Sequence, residues 1–407
     1  MDSIVFENHR KTILDSMEDN SIMVIFSIGG DEDKTPYDVD RNYYYVCGVL
    51  EYENIVLLSK INGHESAMIF INPYDEFKAK WVGAPLSKEE VSQISGINNV
   101  RYLDTFEATL IQMLQIVNNL YVDLKANSLN NALTEDEIFV NKIKQRFPFI
   151  NIKNARPLFT KARTIKDVME IEEMRKAIAI TNQGIKAILN NLKESYEYQI
   201  ESYFDQAIKY FGATGYAFKT IAASGQNACC LHYSQNNSIA KDGDLILFDL
   251  GAKSGMYCAD ISRTFPVNGK FSPRQKEIYN IVLQGQEVVF NHARVGITTR
   301  ELNNILIDFY AQELKRIGLI KDSSEVSKYY YHGVSHHIGL DCHDLCEYTP
   351  LKAGSVISNE PGLYIASEGI GIRIEDDVLI TEDGAEWLSP QIIKTVEDIE
   401  EYMKNRK

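Results

Sequence analysis

The sequence predicts an α+β protein of two domains, in which a smaller mixed α/β domain precedes a larger one built as an antiparallel sheet with helices packed outside. Three observations carry that expectation. A chain of 407 residues exceeds what one hydrophobic core usually organises. The first part of the chain sets short strand-like runs beside helical patterns. The second part repeats a strand motif: Gly243 is followed by Asp249 and Gly251, and Gly354 at the same spacing by Glu360 and Gly362. Each acid ends a strand-like stretch, GDLILFD or GSVISNE, and each has a second acid further on, Asp260 or Glu375. The repeat points to two related half-domains, each giving two carboxylates to one site.

Composition narrows the class. Broadly counted apolar residues make up 44% of the chain and the formal charge is −15, as expected of a soluble globular protein that nucleic acid and anionic membranes would repel. The N-terminal stretch MDSIVFENHRKTILDSMEDN scatters charge through itself and has no apolar h-region, so it does not read as a secretory signal. No apolar run approaches the ~20 residues of a membrane span. The six cysteines show no CxxC spacing, and a chain this large needs no disulfide staples. A reducing, cytoplasmic setting is therefore expected, with Cys229, Cys230, Cys342 and Cys346 read as small buried side chains rather than ligands.

In chain order, Val5 to Met17 has a helical pattern. Strand-like runs follow at Met23–Gly29, Asn42–Leu50, Asn54–Lys60 and Glu65–Asn72, separated by Gly, Asp, Pro and Asn. Tyr43 to Tyr45 read either as an aromatic strand or as lining for the mouth of a site. Two helical patterns lie between Asp104 and Phe147, the second opened by Thr134 and Glu137 at capping-box spacing. The run Phe147–Pro157 has proline and an extended pattern and reads as the linker, dividing the chain into domains 1–155 and 156–407. The second domain opens with an amphipathic helix over Ile165–Leu192 and another over Tyr196–Phe211. Ser272, Pro273 and Gln275 supply a cap, a first-turn proline and a capping glutamine for a helix over Pro273–Ala293, and Arg300–Ile317 follows.

The stretch Asp242–Pro266 reads as a hairpin turning at Ser254-Gly255. A two-residue loop there would pair Lys253 with Met256 and so set Asp249 directly opposite Asp260. Opposed residues of an antiparallel pair have Cβ atoms roughly 5 Å apart on one face. Two carboxylates so placed in apolar surroundings repel unless cations lie between them. Four such acids carry a charge that two divalent ions would neutralise. Hard oxygen donors with one imidazole suit Mn²⁺, Co²⁺, Fe²⁺ or Zn²⁺. His332, His336, His337 and His343 all fall in the second half, and strand alternation leaves the choice between His336 and His337 open. Alternation along Gly371–Asp377 puts Arg373, Glu375 and Asp377 on one face, where Arg373 would orient Glu375, form a plain sheet salt bridge or touch substrate. Tyr364 reads as a gate or as packed core.

These residues fall in strings that resemble a known family. ASGQNA from Ala223 with Leu231-His232-Tyr233, the Asp249/Asp260 hairpin ending in Arg263-Thr264-Phe265-Pro266, the run His332 to Asp344, Glu360-Pro-Gly-Leu-Tyr364, and Ile372 to Asp377 together resemble the pita-bread metallopeptidases of family M24. Within that family they are most similar to the Xaa-Pro aminopeptidases (aminopeptidase P) and the prolidases. The resemblance implies a pita-bread catalytic domain with a pseudo-two-fold repeat behind an aminopeptidase-P-type N-terminal domain, the latter suggested by Tyr37–Gly48. It implies two divalent metals, with Mn²⁺ foremost, held by Asp249, Asp260, His336, Glu360 and Glu375, with Asp260 and Glu375 bridging. It selects His336 over His337. It also implies that Glu360 serves as general acid and base, that His232, His332 and His343 surround substrate and departing amine, and that Arg373 supports the cluster.

The function implied is hydrolysis of the bond between an N-terminal residue and a following proline, in peptides longer than two residues. A prolidase, confined to Xaa-Pro dipeptides, is the alternative. Intact ligands argue against a non-catalytic pita-bread binding module and against a creatinase-like amidinohydrolase, and methionine aminopeptidases usually lack the N-terminal domain. By analogy with the family the chain is expected to form a homodimer or homotetramer.

Overall fold

The computed structural model describes residues 1–28, 35–125 and 128–406. The chain divides into two compact units, Met1–Ala162 and Arg163–Lys407, against the expected boundary between residues 155 and 156.

The first unit begins with helix α1 (Ser3–Ser16), capped by the Asp2 side chain, and strand β1 (Ser21–Phe26). The expected strand ran on to Gly29, which lies outside the described residues. Next come α2 (Arg41–Cys47), β2 (Ile55–Ile61), β3 (His64–Ile71), α3 (Glu76–Val82), α4 (Lys88–Ser95) and β4 (Val100–Tyr102). The unit ends with α5 (Phe106–Leu114), β5 (Asn119–Val122), α6 (Glu135–Arg146) and β6 (Asn151–Asn154). Among the described residues its strands form one sheet in the order β4-β3-β2-β1-β5-β6, with β2 antiparallel to β1 and β3 and the remaining pairs parallel. Every second residue of the central strands (Ile22, Val24, Leu57, Phe70, Leu120, Val122) packs on Leu110 and Leu114 of α5 and Val140 and Ile143 of α6.

Two expectations fail here. Asn42–Leu50 is not a strand: Asp40 accepts hydrogen bonds from the amides of Asn42 and Tyr43, and Gly48 closes the helix at φ 70°. Those two caps override the strand preference of three tyrosines and a valine, the first alone being worth roughly 1 kcal/mol. Tyr43, Tyr44 and Tyr45 are accordingly buried core residues of this unit. The supposed linker contains β6, which pairs parallel with β5 from Asn119↔Asn151 to Val122↔Asn154, so it is the sheet's edge strand.

Helix α7 (Arg156–Arg163) spans the boundary in sequence. The second unit then runs α8 (Val168–Asn191), β7 (Ser195–Tyr196), α9 (Glu197–Tyr210), β8 (Gly215–Tyr216), β9 (Ile221–Ser224) and β10 (Ile239–Ala240). The first acid-bearing segment is β11 (Leu245–Leu250), β12 (Ala252–Ser254), β13 (Tyr257–Cys258) and β14 (Ile261–Pro266). Helices α10 (Pro273–His292) and α11 (Thr299–Arg316) follow, each opened by a capping box, Ser272 with Gln275 and Thr298 with Glu301. The second acid-bearing segment is β15 (Val356–Asn359), β16 (Gly362–Ile365), β17 (Ile370–Arg373), β18 (Asp376–Thr381) and β19 (Gly384–Trp387), before the last helix α12 (Val396–Asn405). The four long helices of this unit start and end within three residues of where their patterns place them.

The repeated motif has the same anatomy twice. Gly243 and Gly354 both turn the chain with left-handed backbone, φ 84° and 86°. The strand after each then pairs antiparallel with the strand after the second acid, β11 with β14 and β15 with β18. The closing glycine is a point of close approach in both copies: a Cβ on Gly251 would lie 1.9 Å from the Ala259 carbonyl oxygen, and one on Gly362 would lie 2.5 Å from the Tyr364 hydroxyl.

The hairpin register differs from expectation by two residues. Ser254 pairs with Tyr257 and Lys253 with Cys258, so the loop is Gly255-Met256 and Asp249 faces Ser262, not Asp260. Gly255, at φ 55°, takes the first loop position, which suits a turn needing positive φ there alone; a loop at Ser254-Gly255 would put serine in that position. A shift of two keeps every side chain on its face. Gly371–Asp377 is likewise no single strand, because it breaks at Ile374-Glu375 between β17 and β18.

Candidate metal centre

Asp249 lies on β11, Asp260 immediately precedes β14, Glu360 immediately follows β15, and Glu375 sits in the break before β18. The two antiparallel pairings thus carry four carboxylates to one place. Asp260, Glu375 and His336 each present a donor atom within 4.8 Å of the others. His336 Nε2 is 3.4 Å from Asp260 Oδ2 and 3.4 Å from Glu360 Oε1, which brings in the third acid. Asp249 joins through Arg373, whose Nη2 donates to Asp249 Oδ2 at 2.6 Å.

That last contact shows which acid of the cluster Arg373 holds directly. Its Nε donates to Ser262 Oγ at 2.8 Å, and Ser262 Oγ in turn donates to Glu375 Oε2 at 2.7 Å. Arg373 therefore grips Asp249 directly and reaches Glu375 only through a serine. Ser262 is in position because the register places it opposite Asp249. Ser358 plays the matching part in the other half, accepting from the His336 amide at 2.9 Å and donating to Glu360 Oε1 at 3.2 Å. Cys342, read as a small buried filler, donates its thiol hydrogen to Asp260 Oδ2 at 2.8 Å. Sequence spacing gave no sign of Ser262 or Cys342, whose contacts join separate segments, whereas Ser358 stands two residues before Glu360, the spacing that puts strand residues on one face.

The main chain behind the acids is held by a buried polar network. Arg263, 1% exposed, donates to the carbonyl oxygens of Ser262 and Glu375 and to Asp376 Oδ1. Gln286 of α10 donates to the carbonyls of Asn359 and Ile374, the residues just before Glu360 and Glu375. The loop between His336 and Asp344 is pinned at its far end, where the Asp344 carboxylate lies between Arg163 and Lys166.

Four histidines, His336, His332, His343 and His232, stand at this cluster. His336 Nδ1 faces the His337 carbonyl at 3.2 Å, so that nitrogen carries a hydrogen and Nε2 is the one turned to the acids. His332 Nδ1 faces the Gly333 carbonyl at 2.8 Å and its Nε2 faces the Tyr364 hydroxyl at 2.9 Å. With Nδ1 donating, Nε2 accepts from Tyr364, whose oxygen also accepts from Arg373 Nη1 at 3.2 Å. Tyr364 is thus buried and also hydrogen-bonded into the cluster. His343 is exposed and stacks on His336, ring centroids 3.9 Å apart. His232 is exposed, close enough to His332 and His343 to oppose their protonation. His337 is buried, and its main chain forms an isolated antiparallel bridge with Ile357 of β15.

Proton affinities follow from this crowding. Burial, reinforced by Asp260 and Asp249, pushes Glu360 up to about 7, and burial with the neighbouring carboxylates raises Glu375 well above its ordinary range. Burial raises Asp249 too, against the pull of Arg373. Burial opposes charge on His336, yet Asp260 and Glu360 outweigh it and push the imidazole up to about 9. His332 moves the other way, to about 4, through burial and Arg373.

The donor set fits divalent metal ions. Four converging carboxylates supply hard oxygen donors, and one imidazole adds a nitrogen donor that first-row divalent metals accept. Asp249 Oδ1 is buried with no hydrogen-bond partner among the described residues, an oxygen that a cation would satisfy.

Residues 172–382 match the sequence profile of metallopeptidase family M24, and residues 6–121 that of the aminopeptidase P N-terminal domain. The chain is 33% identical to a Haemophilus influenzae Xaa-Pro aminopeptidase, over 98% of this chain and 96% of that one. Among solved structures it superposes on a Bacillus anthracis protein provisionally assigned as an aminopeptidase P, with TM-score 0.97, 41% identity and coverage of 100% and 99% of the two chains. It also superposes on Escherichia coli aminopeptidase P solved with the inhibitor Pro-Leu, with TM-score 0.89, 29% identity and coverage of 99% and 98%.

Proposed function

The chain belongs to metallopeptidase family M24, and from that premise we propose that it is an Xaa-Pro aminopeptidase, a hydrolase that removes the first residue of a peptide whose second residue is proline. The convergence of Asp249, Asp260, Glu360, Glu375 and His336 on one point carries the reading, together with similarity to Xaa-Pro aminopeptidases along nearly the whole chain. A prolidase or a binding module accounts less well for both facts at once.

Asp249, Asp260, His336, Glu360 and Glu375 would hold two divalent ions, which we take to be Mn²⁺. Bound there, the metals would supply Lewis acidity toward the scissile carbonyl and make water a nucleophile at neutral pH. The protein's own groups do the rest. Glu360, with Oε1 3.4 Å from His336 Nε2, takes the proton from the attacking water and returns it to the departing proline nitrogen. Arg373 fixes Asp249, and through Ser262 it fixes Glu375. His332, held neutral and oriented by Tyr364 and Gly333, faces Glu360 with its Nδ1 3.8 Å from Oε2 and helps place the substrate. His232 and His343, both exposed, line the approach. We further place the enzyme in the cytoplasm as a homodimer or homotetramer, a setting that the six free cysteines suit. No helix of the described residues is long and apolar enough to cross a membrane.

The test is kcat/KM, with metal content measured alongside, on Xaa-Pro dipeptides and on Xaa-Pro peptides of three to five residues. The longer peptides should be cleaved after the first residue. Cleavage confined to dipeptides would make the enzyme a prolidase, and no cleavage by metal-loaded protein would leave only a binding role.

A further inference from the structure

We infer that Glu197 is a positioning residue that holds the loop carrying His232, so that this imidazole stands at the approach to the metal centre. The inference rests on the role proposed above for His232 and extends it to a side chain that touches none of the proposed ligands.

Glu197 is the first residue of α9 and is wholly buried. A buried carboxylate is costly unless its oxygens are satisfied, and here both are, by five neutral donors. Oε1 accepts from the Ser224 amide at 2.7 Å, Ser224 Oγ at 2.7 Å and Asn227 Nδ2 at 3.1 Å. Oε2 accepts from the Tyr233 hydroxyl at 2.8 Å and the Ser238 amide at 2.9 Å. Ser224 ends β9 and Ser238 precedes β10, so the two oxygens close the two ends of one loop, with His232 between them.

A second acid on the same helix face does similar work. Glu201, one turn on, accepts from Asn236 Nδ2 at 2.8 Å. Asn236 sits in left-handed backbone at φ 47° and also bonds the Thr220 carbonyl and the Ala222 amide, which fixes the loop where it turns back. On the other side the Tyr331 hydroxyl donates to the Cys229 carbonyl at 2.7 Å, tying the loop to the residue before His332. His232 itself is exposed and makes no hydrogen bond among the described residues that would fix it. Its placement is therefore set by the loop's frame. Since every side-chain bond of Glu197 ends in this loop or at its rims, loosening it should be felt at His232 and not at the metal ligands.

The experiment is a double-mutant cycle on the metal-loaded full-length enzyme: wild type, Glu197→Gln, His232→Ala and the double variant. Each is measured for kcat/KM on an Xaa-Pro-Xaa tripeptide, metal content and thermal midpoint. Gln keeps the volume of Glu but sets an amide donor against donors. Glu197→Gln should lower kcat/KM about tenfold or more with metal content unchanged, and in the His232→Ala background its effect should shrink to about twofold or less. Tyr233→Phe removes a single bond of the set and should behave alike with a smaller loss, which keeps the test open should Glu197→Gln fail to fold. Equal losses in both backgrounds, or loss of bound metal in Glu197→Gln, would overturn the inference. Full activity in His232→Ala would overturn it together with the role of His232 while leaving the enzyme's function standing, whereas an inactive metal-loaded wild type would remove the functional reading itself.

Discussion

Asp260 is the side chain on which the centre converges: its Oδ2 lies 3.4 Å from His336 Nε2 and accepts from the Cys342 thiol. Asp260→Ala should therefore lower the bound metal by at least one ion and cost several orders of magnitude in turnover, while circular dichroism shows an unchanged fold. Normal turnover in a metal-loaded Asp260→Ala protein would remove Asp260 from the ligand set. The same crowding gives a pH dependence whose sign is fixed. Folded Glu360 holds its proton up to about 7 and folded His336 up to about 9, both above their unfolded values. A group raised in the folded state contributes stability that is complete below its unfolded value and lost as pH rises through the folded one. Chelator-treated protein should thus melt at lower temperature as pH rises from 6.5 to 9. Metal-loaded protein should not, because bound cations need these donors unprotonated and bind better as pH rises. Equal slopes with and without metal would show that the cluster is not the metal site. At this scale the acids and histidines were legible in the sequence because charge is conspicuous among Ile, Leu and Val. Ser262 and Cys342 were not, since a hydroxyl or thiol acquires its part only when another segment is brought against it; Ser358, two residues before Glu360, was passed over because serine in a strand carries no charge to mark it.

At the scale of elements the repeated motif is conformational as well as compositional, and its glycines are required for different reasons. At Gly243 an added Cβ meets nothing within 4 Å, so Gly243→Ala costs only the left-handed backbone, roughly 1–2 kcal/mol. At Gly251 the Cβ would lie 1.9 Å from the backbone oxygen of Ala259, between β13 and β14, which cannot swing aside as a side chain could. Gly251→Ala should cost about 3 kcal/mol or more and disturb Asp249, two residues away. Thermal or urea unfolding of the two variants checks the order, and equal losses would mean that the strands do not approach as closely as described. Helices were legible where period and caps agree, as at Thr134 and Ser272. The helix Arg41–Cys47 was not, because a seven-residue helix shows little period and its three tyrosines favour a strand; only Asp40 and Gly48 signalled it. The hairpin register was missed by two residues since the Ser-Gly dipeptide marks the turn without saying which position of the loop the glycine takes.

At the scale of the whole molecule the net charge of −15 acts on the substrate before any contact forms. Two divalent ions would neutralise the four central acids and still leave the chain strongly acidic, so its field persists in the working enzyme. The substrate must present a free α-amine to be cut at its first bond. A peptide with a free C-terminal carboxylate also carries the opposite charge, and the protein's pull on the one is largely offset by its push on the other. Amidating that carboxylate leaves a net cation. The field then steers the amidated peptide inward, and added salt screens the steering as the Debye length falls from ~30 Å at 0.01 M to ~8 Å at 0.15 M. For an Xaa-Pro-Xaa amide of neutral side chains, kcat/KM should therefore fall severalfold over that range, while the free acid changes by less than about half. Measuring both peptides at fixed metal loading separates the long-range effect from any effect of salt on the centre, which would slow the two equally. A parallel response would confine substrate attraction to short-range contacts at the site and leave the acidic surface with no part in catalysis.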